Sequence, residues 1–83
     1  MKECSIDNAK MLEIYKIIGQ NVKNIRIDKK VSQLKLALEI GHNSVGTIST
    51  CELCLNNKHF NIEHLVKIAD VLEVDIKDFF EGI

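Results

Sequence analysis

Residues 31–52 read VSQLKLALEIGHNSVGTISTCE, and this stretch decides the fold. Ser32 is a good helix N-cap, because its hydroxyl can accept from a first-turn N–H. Gln33 then takes the first helical position. Leu36, Ala37 and Ile40 recur at the interval that lines one face of a helix. Gly41 suits the left-handed position that ends one. A second helix starts after His42-Asn43-Ser44 and runs to about Leu53, with Ile48, Cys51 and Leu55 as its inward stripe and Val45 at its upper end. Two short helices joined by a glycine-containing turn form a helix-turn-helix.

Working outward, the sequence predicts five helices. The first is long, with Ser5 or Asp7 at its start and Tyr15, Ile18, Val22 and Ile25 as a stripe. Gly19 in its middle predicts a kink or an early break. After the polar loop Asn56-Asn57-Lys58-His59, Asn61 caps a fourth helix whose Ile62, Leu65, Ala69 and Leu72 face inward. Asp75 caps a fifth, Ile76 to Glu81, anchored by Phe79. No segment alternates with period two for long enough to be a strand. The expected class is all-α. Eighty-three residues suffice for one small core. The 46% hydrophobic and 28% charged content excludes a disordered tail. No apolar run is long enough for a membrane span or a signal-peptide core. Three cysteines, an odd number, then point to a reducing cytoplasm and not to a disulfide scaffold.

The net charge of −1 conceals a polarity. Residues 1–30 carry seven Lys/Arg against four Asp/Glu, and residues 61–83 carry two against six. A basic face on a neutral chain can still attract a polyanion, since local potential does the attracting. An ordinary solvated surface would show the same asymmetry.

Residues 18–80 resemble the phage-repressor (Xre or Cro-repressor) type of helix-turn-helix domain. The words that carry the resemblance are Ile18-Gly19, Val22-Lys23-x-Ile25-Arg26, Val31-Ser32-Gln33, Leu36-Ala37-x-x-Ile40-Gly41 and Ile48-Ser49-x-x-Glu52. Asn61-Ile62-Glu63-x-Leu65-x-Lys67-Ile68-Ala69 and Leu72-x-Val74-x-Ile76-x-x-Phe79 follow in order. The turn from Gly41 to Ile48 is one residue longer than the usual pattern, and the loop from Glu52 to Ile62 about two. The resemblance implies a five-helix, lambda-repressor-like domain over residues 18–83. Residues 1–17 then form an N-terminal helical extension. It further implies a sequence-specific DNA-binding transcriptional regulator, a repressor or dual-acting controller, that binds an inverted repeat as a homodimer. Small stand-alone members of that family include controllers of restriction-modification operons, phage repressors and toxin-operon antitoxins, and a prokaryotic or phage origin follows. The rival reading is a protein-interaction module on the same fold, antitoxin-like or anti-repressor, without direct DNA binding. The acidic C-terminal part and the lack of Lys or Arg in the third helix keep it open.

A recognition helix presents its N-terminal residues to base edges in the major groove. The candidates here are Asn43, Ser44, Val45, Gly46, Thr47 and Thr50. Asn can pair bidentately with adenine, hydroxyls suit several bases, and the Val and Thr methyls can meet a thymine methyl. Phosphate-contact candidates are Gln33, His42, Lys23, Lys30, Lys35, Asn56, Asn57 and Lys58, and the resemblance also gives Gln33 a part in buttressing the recognition helix. The resemblance gives Arg26, the only arginine, a structural role in a salt bridge with Glu52. Planar bidentate pairing suits arginine and would not suit lysine. Val71, Phe80 and Ile83 are apolar beyond the needs of the core and are expected at the dimer interface.

Cys51-x-x-Cys54, His59 and His64 copy zinc-ligand spacing, with Cys4 in reserve. Cys51 also falls on the apolar stripe of the third helix, where a small hydrophobe belongs. The expectation is therefore no metal, no cofactor, no small-molecule ligand, no membrane partner and no enzymatic activity. Leu34 and Leu38 stand apart, four residues from each other on one helix face and outside the core stripe. The extension carries Ile6, Met11, Leu12, Ile14 and Tyr15. It is expected to fold as a helix, and its apolar residues, or those of a second subunit, to cover the two leucines.

Overall fold

A computed structural model of the chain describes residues 1–41 and 45–83. Asp7 is the residue that starts the longest helix. Its backbone is extended and its side chain accepts from the Lys10 N–H at 2.8 Å. Helix α1 then runs unbroken over Asn8–Asp28, crossing residues 17 and 18 without interruption. It ends with Lys30 in the left-handed region (φ 60°), while the Val31 N–H returns to the Arg26 carbonyl at 3.0 Å. That is the six-to-one closure of a Schellman turn.

Ser32 caps α2, Gln33–Glu39, by accepting from the Lys35 N–H at 3.0 Å. Gly41, at φ 86°, follows this helix. Helix α3 spans Val45–Leu53 and helix α4 spans Ile62–Leu72. At the start of α4, the Asn61 side chain accepts from the His64 N–H, and the His64 ring accepts in return from the Asn61 N–H. This is a capping box with histidine in the place usually held by Glu or Gln. Two single 3₁₀ turns complete the chain, Leu55–Asn57 and Ile76–Phe80. There is no strand among the described residues, and no described helix is long and apolar enough to cross a membrane.

The core gathers Ile18 and Val22 from α1, Leu36 and Ala37 from α2, and Ile48 and Cys51 from α3. Leu65, Ile68, Ala69 and Leu72 join them from α4, with Phe79 fully buried in the last turn. Asn21 ties that last turn to α1, donating to the carbonyls of Phe79 and Glu81 at 2.9 and 2.8 Å.

The structure corrects several expectations. The fifth helix is a 3₁₀ turn, so the chain has four α-helices among its described residues. Helix α3 stops at Leu53 because Cys54 turns left-handed, and Leu55 points outward, half exposed. Val45 is exposed too. Ile62 stands at the first position of α4 and is exposed, so Ile68 fills the core in its stead. Leu34 and Leu38 remain 56% and 62% exposed, so the N-terminal segment of the same chain does not cover them. Its Met11, Leu12 and Tyr15 line a cleft beside Cys54 and His59.

Gly19 neither kinks nor ends α1. A Cβ there would lie 2.5 Å from the Glu52 carbonyl oxygen and 2.8 Å from that of Cys51. The glycine lets two helix backbones touch. On helix propensity alone, Gly19→Ala would stabilise by about 1 kcal/mol. In this packing it is expected to destabilise by roughly 1–3 kcal/mol, since neither carbonyl can yield without moving α3. Urea melts of the two proteins measure it, and an alanine variant as stable as the parent would mean α1 and α3 do not approach this closely.

Candidate nucleic-acid interface

Helix α3 is held from its inner side by one buried carboxylate. Glu52 is 3% exposed and Arg26 7%. Arg26 donates through Nε to Glu52 Oε2 at 2.7 Å and through Nη2 to Oε1 at 3.1 Å. Its Nη1 donates to the Val31 carbonyl at 2.9 Å. Gln33 Nε2 adds a third bond to the carboxylate, reaching Oε1 at 3.0 Å. A buried ion pair is tolerable only when its remaining donors and acceptors are filled. Here each of the guanidinium nitrogens and both carboxylate oxygens has at least one partner, and no described buried side-chain nitrogen or oxygen lacks one. The network joins α1, the α1–α2 linker, α2 and α3 at one point. Gln33, half-buried, directs its amide to Glu52 and so braces α3 from the start of α2.

With Ile48, Cys51 and Glu52 facing in, the other side of α3 is left outward. Gly46, Thr47 and Thr50 border an open depression, and Lys58, His59 and His64 border the same depression from the following loop and the start of α4. The six residues thus share one concave surface. The loop is shaped for this by left-handed residues: Cys54, Asn56 and Asn57 have φ of 53°, 54° and 59°. Asparagine tolerates that region because its short polar side chain bonds locally.

His42, Asn43 and Ser44 lie outside the described residues. Val45 is at the exposed start of α3. Lys23 is half-buried on α1, and Lys30 is exposed at its C-terminal turn. Lys35 is exposed and forms an ion pair with Glu39 at 2.8 Å. The hydrogen bond and charge of Glu39 raise the Lys35 pKa. Asn56 and Asn57 are exposed. Of the three residues expected between subunits, Phe80 and Ile83 are exposed. Val71 is half-buried against the core, which accounts for its apolar character without a partner.

In the sequence, His59 and His64 stand out through metal-ligand spacing and not as part of this surface. The one available signal was the place of His64, three residues after a capping Asn61, where a side chain reaches back to the N-cap. His59 stacks on Tyr15, with ring centroids 3.6 Å apart and planes within 4°. Its Nδ1 lies 3.3 Å from the Phe60 carbonyl. Cys54 Sγ donates to the Cys51 carbonyl at 3.6 Å. Among the described residues, no group of three or more Cys, His, Asp or Glu converges on a point that could hold a metal. Burial pushes both the Cys51 and Cys54 thiols up from the ordinary value, and the proximity of Cys54 adds to the shift at Cys51.

Comparison with known proteins adds no relative: no family description, no curated protein and no solved structure matches the chain.

Two outcomes follow from this geometry. Arg26→Met or Glu52→Met alone strands a buried charge and is expected to cost about 3–5 kcal/mol, with the double change costing less than the two together. Thermal melts of the four proteins read the coupling, and strictly additive losses would mean the pair does not interact. The thiols set a pH dependence. A thiol pKa raised by folding stabilises fully below the unfolded value, and the stability is lost as pH rises through the folded value. Replacing Cys51 and Cys54 with Ala is expected to flatten the alkaline fall in stability above pH 9.0, the ordinary thiol value. An identical alkaline slope in the variant would assign the fall to other groups.

Proposed function

We propose that the chain is a sequence-specific DNA-binding transcriptional regulator, a repressor or dual-acting controller, which inserts the outward face of α3 into the major groove. The observation that carries this reading is the shared concave surface. Thr47 and Thr50 on α3 stand with Lys58, His59 and His64 around one depression. The Arg26 and Glu52 pair fixes α3 behind it. Hydroxyls on the helix suit base edges, while a lysine and imidazoles on the flank suit phosphates. The order of residues also agrees with the Xre-type words. Described α3 carries no cation, so a single copy would bind weakly. A homodimer on an inverted repeat supplies the missing affinity, with Phe80 and Ile83 as the exposed apolar residues for its interface.

One observation favours the rival reading. Leu34 and Leu38 are exposed side by side on α2, as a protein-interaction module would need.

Selection of bound duplexes from a random pool separates the two. A regulator is expected to enrich an inverted repeat, with affinity falling steeply as salt rises. Changing both Thr47 and Thr50 to Ala is expected to remove sequence preference at roughly 1–3 kcal/mol per lost base contact. Lys30→Gln should weaken all sequences alike and lower the salt slope by about one. Sedimentation of Phe80→Glu reports whether the dimer is lost. An interaction module would enrich no sequence and show no salt-sensitive retention.

A further inference from the structure

A second concavity also borders on the Lys58-His59 segment. Its floor is apolar, made by Met11, Leu12 and Tyr15 of α1 with Cys54 from the end of α3. Its rim is polar, formed by Asn8, Asn57, Lys58 and His59. The cavity volume is about 240 Å³. None of the described residues lining it is acidic. One is a cation, and Lys58 has no ion pair with any described acid within 4.0 Å. The near-parallel stack of His59 on Tyr15 joins the rim to the floor.

An apolar floor with a few convergent polar groups is the general form of a small-ligand site. The charge of the rim selects the sign of the ligand, and the volume selects its size. We propose that this cleft binds a small amphiphilic carboxylate, with the chain or ring on Met11, Leu12 and Tyr15 and the carboxylate on the Lys58 ammonium. Asn8 and Asn57 supply further amide donors at the rim. No bond is made or broken. The Lys58-His59 segment borders both concavities, so a carboxylate on Lys58 occupies a cation that also faces the α3 depression. The binding claim itself stands on the cleft and is independent of the DNA-binding reading.

The test uses the full chain without nucleic acid. Tyr15 is the only tyrosine and tryptophan is absent, so intrinsic fluorescence reports from the cleft floor. Titration with octanoate below its micellar range is expected to change that fluorescence saturably, with one ligand bound per chain by calorimetry. Octan-1-ol, which shares the tail and lacks the charge, is expected to bind about tenfold more weakly. Lys58→Gln is expected to bring octanoate down to the level of the alcohol while leaving the alcohol unchanged. Lys58 is exposed and outside the core, so this variant keeps the fold, and its melting curve checks that. The proposal is overturned if octanoate gives no saturable change. It is also overturned if the alcohol binds equally well or if Lys58→Gln binds octanoate like the parent. Loss of duplex binding in any of these proteins would not alter the titration, so the two readings fail separately.

Discussion

Glu52 is a carboxylate removed from water, and the arrangement of the helices follows from how its charge is satisfied. A buried carboxylate left unpaired would be intolerable at neutral pH. Arg26 supplies two bonds in the fork geometry that a guanidinium can offer and an ammonium cannot. Gln33 supplies a third from the first residue of α2. The same arginine reaches back to the Val31 carbonyl and so fixes the linker leading into α2. One polar cluster thus sets three helices against each other. Gly19 is its steric counterpart. The α1 backbone comes against the carbonyls of Cys51 and Glu52, and only a residue without a side chain permits that approach.

What this constraint leaves outside is as informative as what it draws in. Once Ile48, Cys51 and Glu52 are turned to the core, the threonines of α3 have to face out. The polar loop that follows is longer than a tight connection needs, and three left-handed residues fold it back. Lys58 and His59 thereby border two concavities, one beside α3 and one beside the first half of α1. The stacking of His59 on Tyr15 holds the loop to the N-terminal half of α1, which makes that half part of the domain surface.

Helix boundaries and most of the core were legible in the sequence, because both follow from local chemistry. Ser32, Asn61 and Asp75 cap where short side-chain acceptors meet first-turn N–H groups. Leu36, Ala37, Ile48, Leu65, Ala69, Leu72 and Phe79 are buried where helical spacing puts them. Periodicity fails at helix ends. Ile62 and Leu55 fit their stripes on paper, yet one stands in a first turn and the other past a left-handed Cys54, where the regular rotation per residue no longer holds.

The meaning of particular polar residues and glycines was decided by distant neighbours. Gly19 reads as a weak point in a helix until α3 is laid across it. Gln33 has two readings in the sequence, phosphate contact and helix buttress, and its atomic partner, Glu52, comes from nineteen positions further along. Cys51, Cys54, His59 and His64 have metal-like spacing, but each meets a different neighbourhood in the fold. Here two are drawn into apolar packing, one onto a tyrosine ring and one into a helix cap. Spacing along a chain fixes local direction only. Whether Leu34 and Leu38 are covered, and which side chains share a concavity, depends on how helices cross, and that crossing was set by a buried charge and a missing Cβ.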